Sequence, residues 1–140
     1  MSDRYFLDTN IIVYSFDVSD PQKQKTAKKL ITDGLIQNQG VISYQVVQEF
    51  INVSTRKFET PLSIKDCRQY VDSVLDQMWE VYSSKDLVYS AFDIHERWQY
   101  SFYDSLIIAA AIEASCNILY SEDLQHKQKI YSLQILNPFV

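Results

Sequence analysis

The chain has 140 residues, 46% hydrophobic and 22% charged, with 18 acidic against 13 basic side chains and a net charge of −5. That length makes one domain, 1–140, with a real core. No apolar run approaches the ~18 residues that span a bilayer, and residues 1–4 lack the basic-then-apolar start of a secretory leader, so a cytoplasmic domain without a membrane is expected. The acidic balance argues against indiscriminate nucleic-acid binding, which needs Lys and Arg at phosphates. It leaves room for an acid-lined metal site.

Tyr5-Phe6-Leu7 reads as a first strand ending at Asp8, followed by a short helix over residues 10–16. Asp20 before Pro21 is an N-cap followed by proline at the first helical position. Ala27, Leu30, Ile31 and Leu35 then recur at helical spacing up to about Asn38. Gly40 to Ser43 predicts a second strand. It runs straight into a helix over 44–57, whose apolar face is Val46, Val47, Phe50 and Val53. Beyond Pro61, Ser63 caps a helix with the stripe Ile64, Cys67, Val71, Val74, Leu75 and Met78. Residues 79–82 predict a third short strand. Ser84 caps a helix with Leu87, Ala91, Ile94 and Trp98 on one face. The helix over 104–115 is apolar almost all round, which predicts a central position against the sheet. Residues 117–120 and 133–136 predict the fourth and fifth strands. The two cysteines, Cys67 and Cys116, have no metal-type spacing and read as buried small hydrophobes in a reducing compartment.

Strands alternating with helices imply a mainly parallel α/β sheet of about five short strands, covered on both faces. Ligands of such sheets bind beyond the C-terminal strand ends. That rule sends four acids to one edge: Asp8 ends the first strand, Glu49 lies in the helix after the second, Asp104 opens the central helix, and Asp123 follows the fourth strand. Each also has a plain explanation. Asp8 can cap the helix after it, Glu49 can sit on a solvated face with Gln45 and Asn52, and Asp104 can complement a helix dipole. Glu122 competes with Asp123 for the fourth place. Carboxylates gathered at one edge repel, and a hard divalent cation such as Mg²⁺ or Mn²⁺ relieves the repulsion through oxygen ligands. Such sites cut phosphodiesters. Thr9, Asn10, Ser105 and Ser121 are expected to orient acids, water or phosphate. Arg56 and Lys57, Arg97 and His126 are candidate RNA contacts. Tyr14, Phe16, Tyr44, Phe58, Tyr100 and Phe102 are candidates for an exposed aromatic patch.

In order and spacing, Phe6-Leu7-Asp8-Thr9-Asn10, Gln48-Glu49-Phe50, Tyr103-Asp104-Ser105 with its alanine-rich helix, and Tyr120-Ser121-Glu122-Asp123 resemble the motifs of the PIN-domain family, and within it the small VapC-like toxins. Asn137-Pro138-Phe139 is similar to the end of many such chains. Lys127 stands where the resemblance leads one to expect glycine. The resemblance implies a three-layer α/β/α fold and a Mg²⁺- or Mn²⁺-dependent endoribonuclease with Asp8, Glu49, Asp104 and Asp123 as ligands. It also implies products with a 5′-phosphate, a homodimer, and inhibition by a cognate antitoxin. Two rivals stand beside it: a PIN-like domain that binds RNA or protein without cutting, and a receiver-type Mg²⁺-binding signalling domain. The receiver wants an acid pair after the first strand and a lysine near the last. Here Thr9 follows Asp8, and no lysine occurs from Ser132 to Val140.

Overall fold

The computed structural model describes residues 3–140; Met1 and Ser2, part of the stretch read as lacking a leader pattern, lie outside them. Six strands form one sheet in the order β3-β2-β1-β4-β6-β5. They are β1 (Tyr5–Leu7), β2 (Gly40–Ser43), β3 (Trp79–Val81), β4 (Ile118–Tyr120), β5 (Lys129–Ile130) and β6 (Leu133–Leu136). All pairings are parallel except β5 with β6. The expectation of five strands is therefore corrected to six. The missed strand has two residues, too short for any periodicity, and is formed by a hairpin that turns at Tyr131 with φ 54°.

The helices are α1 (Thr9–Tyr14), α2 (Pro21–Ile36), α3 (Tyr44–Arg56), α4 (Ile64–Tyr70), α5 (Asp76–Met78), α6 (Lys85–Trp98) and α7 (Phe102–Glu113), with a π-helical stretch at Val71–Leu75 joining α4 to α5. Helix starts follow their capping side chains. Asp20 accepts from the Lys23 N–H, Ser63 from Asp66, Ser84 from Leu87 and Ser101 from Asp104. Ser43, the last residue of β2, caps α3 in the same way, so strand and helix join without a loop.

Right-handed crossovers place α1 to α5 on one face of the sheet and the packed pair α6 and α7 on the other. The core runs between these layers. Phe6, Leu7, Ile11, Ile12, Val41, Ile42, Phe50, Ile108 and Leu119 are fully buried. Helix α7 is central as its composition requires, with Ile107 to Ala111 all buried. Ile64, expected in a buried stripe, is 68% exposed; it is the first residue of α4, where the helix has not yet turned its apolar face inward. Both cysteines are buried and unbridged.

Candidate active site

Strand order fixes where a cleft opens. From β1 the chain moves to β2 and β3 on one side, while β4 lies on the other side of β1. This reversal is the topological switch point, where the crossovers part and leave a crevice at the C-terminal strand ends. Asp8 follows β1 there, and Ser121 to Asp123 follow β4. The Asp8 N–H donates to the Tyr120 carbonyl at 3.0 Å, which extends the β1–β4 ladder to the edge of the crevice.

Asp8 is 7% exposed. Its two oxygens accept from the Thr9 N–H and the Ser121 hydroxyl, each at 2.7 Å. The plain reading of Asp8 as a helix cap thus holds, since Thr9 opens α1, yet capping uses only one of its oxygens. Burial pushes its pKa up to about 7. The hydrogen bonds from Ser121 and Thr9 oppose this, and the nearby charges of Glu49 and Asp123 add to it. The Thr9 hydroxyl donates to Glu49 at 2.5 Å, and the Asn10 amide to Asp123 at 3.0 Å. Asp8, Thr9 and Asn10 therefore each hold or constitute one of three acids from three separate elements.

Asp104 stands in the first turn of α7, half-buried. The Gln45 amide, beside Glu49, reaches the carbonyl of Tyr103 at 3.1 Å, which brings this turn alongside α3. Glu122 has another task. It pairs with Lys23 and accepts from the Tyr14 hydroxyl at 2.6 Å. Burial alone would raise its pKa, but these two donors hold it below the usual carboxylate range. Lys23 also lies over the rings of Tyr14 and Phe139. Asp123 is exposed at the cleft and has no such cationic partner among the described residues. The Lys23–Glu122 and Tyr14–Glu122 contacts span 99 and 108 residues, a separation at which the sequence carries no signal.

Of the remaining candidates, Lys57 reaches the cleft. Ser105 is fully buried and its hydroxyl donates to the Tyr100 carbonyl at 3.4 Å. Lys57 lines the cleft of about 560 Å³ together with Thr9, Asn10, Glu49, Glu122 and Asp123, while Arg56 is exposed beside it. Arg97 stacks over Trp98 and Tyr131; Tyr131 belongs to the β5–β6 turn, at the opposite edge of the sheet. The ring of His126 accepts from the Asn137 N–H at 2.9 Å, tying its loop to the chain after β6. Of the six candidate aromatics for a surface patch, Tyr44 alone is exposed. Phe16 and Phe58 pack with Phe50 and Tyr70 in a ring cluster. The other exposed rings are Tyr82, Tyr89, Phe92, Tyr103 and Tyr131; Tyr89, Phe92 and Tyr103 share the α6–α7 side with the partly buried Phe102, while Tyr82 lies against Trp79.

The donor types suit a hard divalent cation: Asp8 is buried with the charges of Glu49 and Asp123 near it, and no Lys or Arg is paired to Asp8, Glu49, Asp104 or Asp123 among the described residues. In the protein by itself the oxygens of Asp8, Glu49 and Asp123 are held by Thr9, Asn10, Gln45 and Ser121. No three acid, His or Cys side chains among the described residues are drawn into one metal-holding group.

The sequence model of the PIN domain matches residues 5–129. The chain belongs to the PIN-domain family. Solved structures with the same fold include a toxin–antitoxin complex from Klebsiella pneumoniae, 17% identical over 96% of this chain and 97% of that one, with a TM-score of 0.67. VapBC2 from Rickettsia felis, bound to a DNA fragment from its promoter, is 18% identical over 94% and 96%, TM-score 0.62. The Mycobacterium tuberculosis VapC20, a sarcin–ricin-loop-cleaving toxin, is 19% identical over 85% and 89%, TM-score 0.61. No curated protein sequence matches significantly. As in other members of this fold, the PIN domain here has a mainly parallel sheet between helical layers, and no helix among its described residues is long and apolar enough to cross a membrane.

Proposed function

We propose that this PIN domain is a Mg²⁺- or Mn²⁺-dependent endoribonuclease and the toxin of a type II toxin–antitoxin pair, acting in the cytoplasm. The observation that carries the reading is the buried Asp8 carboxylate, held at the switch point with Glu49 and Asp123 beside it and no Lys or Arg ion-paired to any of the three among the described residues. Asp8, Glu49, Asp104 and Asp123 would hold the cation, which when bound supplies an acidified water and charge neutralisation at the phosphate. The residues around them have separate tasks. Thr9 and Ser121 orient Glu49 and Asp8, so that the unused lone pairs of both carboxylates are available to a ligand. The Asn10 side chain donates its amide to Asp123 and accepts, through Oδ1, from the Glu122 N–H at 3.3 Å, which sets the loop after β4. Lys57 on the cleft wall offers a positive charge to a substrate phosphate, with Arg56 next to it.

Two partners follow from the same reading. An antitoxin segment bearing an arginine would satisfy the unpaired acids with a bidentate contact and exclude the cation. A second copy of the chain would cover the aromatic side formed by Tyr89, Phe92 and Tyr103, which are 50%, 52% and 68% exposed.

A panel of structured RNAs that includes transfer RNAs tests the proposal. Cutting is expected with Mg²⁺ or Mn²⁺ and not in chelator, leaving 5′-phosphate ends. Asp8→Asn and Asp104→Asn should each abolish it with the fold retained, read by circular dichroism. Cutting that survives chelation, or that survives either substitution, rejects the assignment.

A further inference from the structure

We infer that Gln45 is a positioning residue for the acid cleft, joining Glu49 on α3 to the first turn of α7, which carries Asp104. The inference rests on reading the cleft as a divalent-cation site. Gln45 stands one helical turn before Glu49, on the same face of α3. Its Nε2 donates in two directions, to Glu49 Oε2 at 3.3 Å and to the Tyr103 carbonyl oxygen at 3.1 Å. The other Glu49 oxygen, Oε1, is held by the Thr9 hydroxyl at 2.5 Å. One carboxylate is therefore gripped from the β1 side by Thr9 and from the α7 side by Gln45.

A primary amide suits this place. It has two N–H hydrogens, so it can serve both acceptors at once. It carries no charge, so it orients Glu49 without neutralising it, whereas a lysine here would compete with a bound cation. The Tyr103 carbonyl belongs to the residue before Asp104, so the same amide sets how the first turn of α7 stands against α3. Packing does not call for a glutamine: Gln45 is half-buried between the exposed Tyr44 and the buried Val46, and methionine would occupy nearly the same space with similar helix propensity. Side chains that orient metal ligands by hydrogen bonds typically change metal affinity by 10–100-fold when removed.

The test is a Mn²⁺ titration read by melting temperature, on wild type, Gln45→Met, Glu49→Gln and the double variant, with RNA cleavage by wild type in parallel. In chelator, Gln45→Met should melt close to wild type. It should need roughly tenfold more Mn²⁺ for half of the full stabilisation. In the Glu49→Gln background the same substitution should change that requirement by less than about twofold, because its effect passes through the Glu49 carboxylate. Gln45→Ala, which leaves a gap rather than a misfit, repeats the comparison if the methionine variant folds poorly. An unchanged Mn²⁺ requirement in Gln45→Met overturns the inference. So does an equal loss in both backgrounds, which would mark a general structural role. A wild-type protein that neither responds to Mn²⁺ nor cuts RNA removes the cation reading itself, and the wild-type curves distinguish that failure from the other two.

Discussion

Asp8 carries a cost in the absence of a cation. Its pKa is raised to about 7 in the fold, first by burial, against an ordinary value of 3.8 in the unfolded chain. Between these values the unfolded chain has released a proton that the folded chain still holds. The contribution of Asp8 to stability is therefore full below about pH 4 and falls away as pH rises to about 7, by an amount on the order of 4 kcal/mol. Urea melts in chelator at steps from pH 4.5 to 8 should show this decline in wild type, and Asp8→Asn should remove it. Saturating Mg²⁺ should flatten the wild-type profile too, because a cation favours the ionised carboxylate. Equal slopes in wild type and variant would refute the account. Lys127 presents a second local cost. The resemblance led to glycine at this place, and the backbone shows why: Lys127 has φ 70°, in the left-handed region, while its N–H reaches the Ile135 carbonyl at 2.7 Å. A side chain in that conformation costs about 1–2 kcal/mol. Glycine adds entropy to the unfolded chain, about 0.4–1 kcal/mol in the other direction. Lys127→Gly should thus stabilise by about 0.5–1 kcal/mol and raise the melting temperature by a few degrees, whereas Lys127→Ala should not.

Among the elements, α2 and β2 meet through two glycines. A Cβ on Gly34 would stand 3.0 Å from the Gly40 Cα and 3.1 Å from the Tyr5 hydroxyl oxygen, and that hydroxyl is itself held by the Leu30 carbonyl at 2.6 Å. Neither neighbour can move cheaply. Helix propensity alone would favour Gly34→Ala by roughly 1 kcal/mol, but forcing α2 away from the sheet costs about 1–3 kcal/mol. The packing term should win, so the variant should melt lower, while the same change should raise helicity in an isolated α2 peptide. A higher melting temperature in the whole protein would show that α2 has room to shift. The cap residues at Asp20, Ser63, Ser84 and Ser101 and the apolar spacing made most helix boundaries legible in the sequence, because both signals are local. Ile64 and β5 escaped for the converse reason: exposure at a first helical turn and pairing of a two-residue strand are decided by what lies across from them.

For the whole molecule, the surface departs from expectation in which aromatics it exposes. Phe16 and Phe58 are drawn into the cluster around Phe50, while Tyr89, Phe92 and Tyr103 stand out on the α6–α7 side. A contiguous apolar surface of this kind on a small domain is usually covered by a partner. Light scattering at micromolar concentration should give about twice 16.4 kDa. Phe92→Asp should shift the mass to that of one chain without unfolding it, since the ring is half-exposed. A monomeric wild type across the concentration range would remove the dimer and leave the nuclease proposal standing.

The alternation of short apolar strands with capped, periodic helices was enough to specify a parallel α/β sheet, and the rule that its ligands lie at the C-terminal strand ends was enough to propose Asp8, Glu49, Asp104 and Asp123 as its site, of which the structure brings Glu49 and Asp123 close to Asp8. Those are consequences of near-neighbour chemistry and chirality, which a linear chain displays. Only the tertiary structure decided that Glu122 is paired with Lys23 and Tyr14, that Arg97 lies at the other edge, and that Gln45 bridges α3 to α7. Each of these depends on pairs of side chains from elements distant in sequence, whose meeting is set by sheet order and helix packing and by no pattern within either segment.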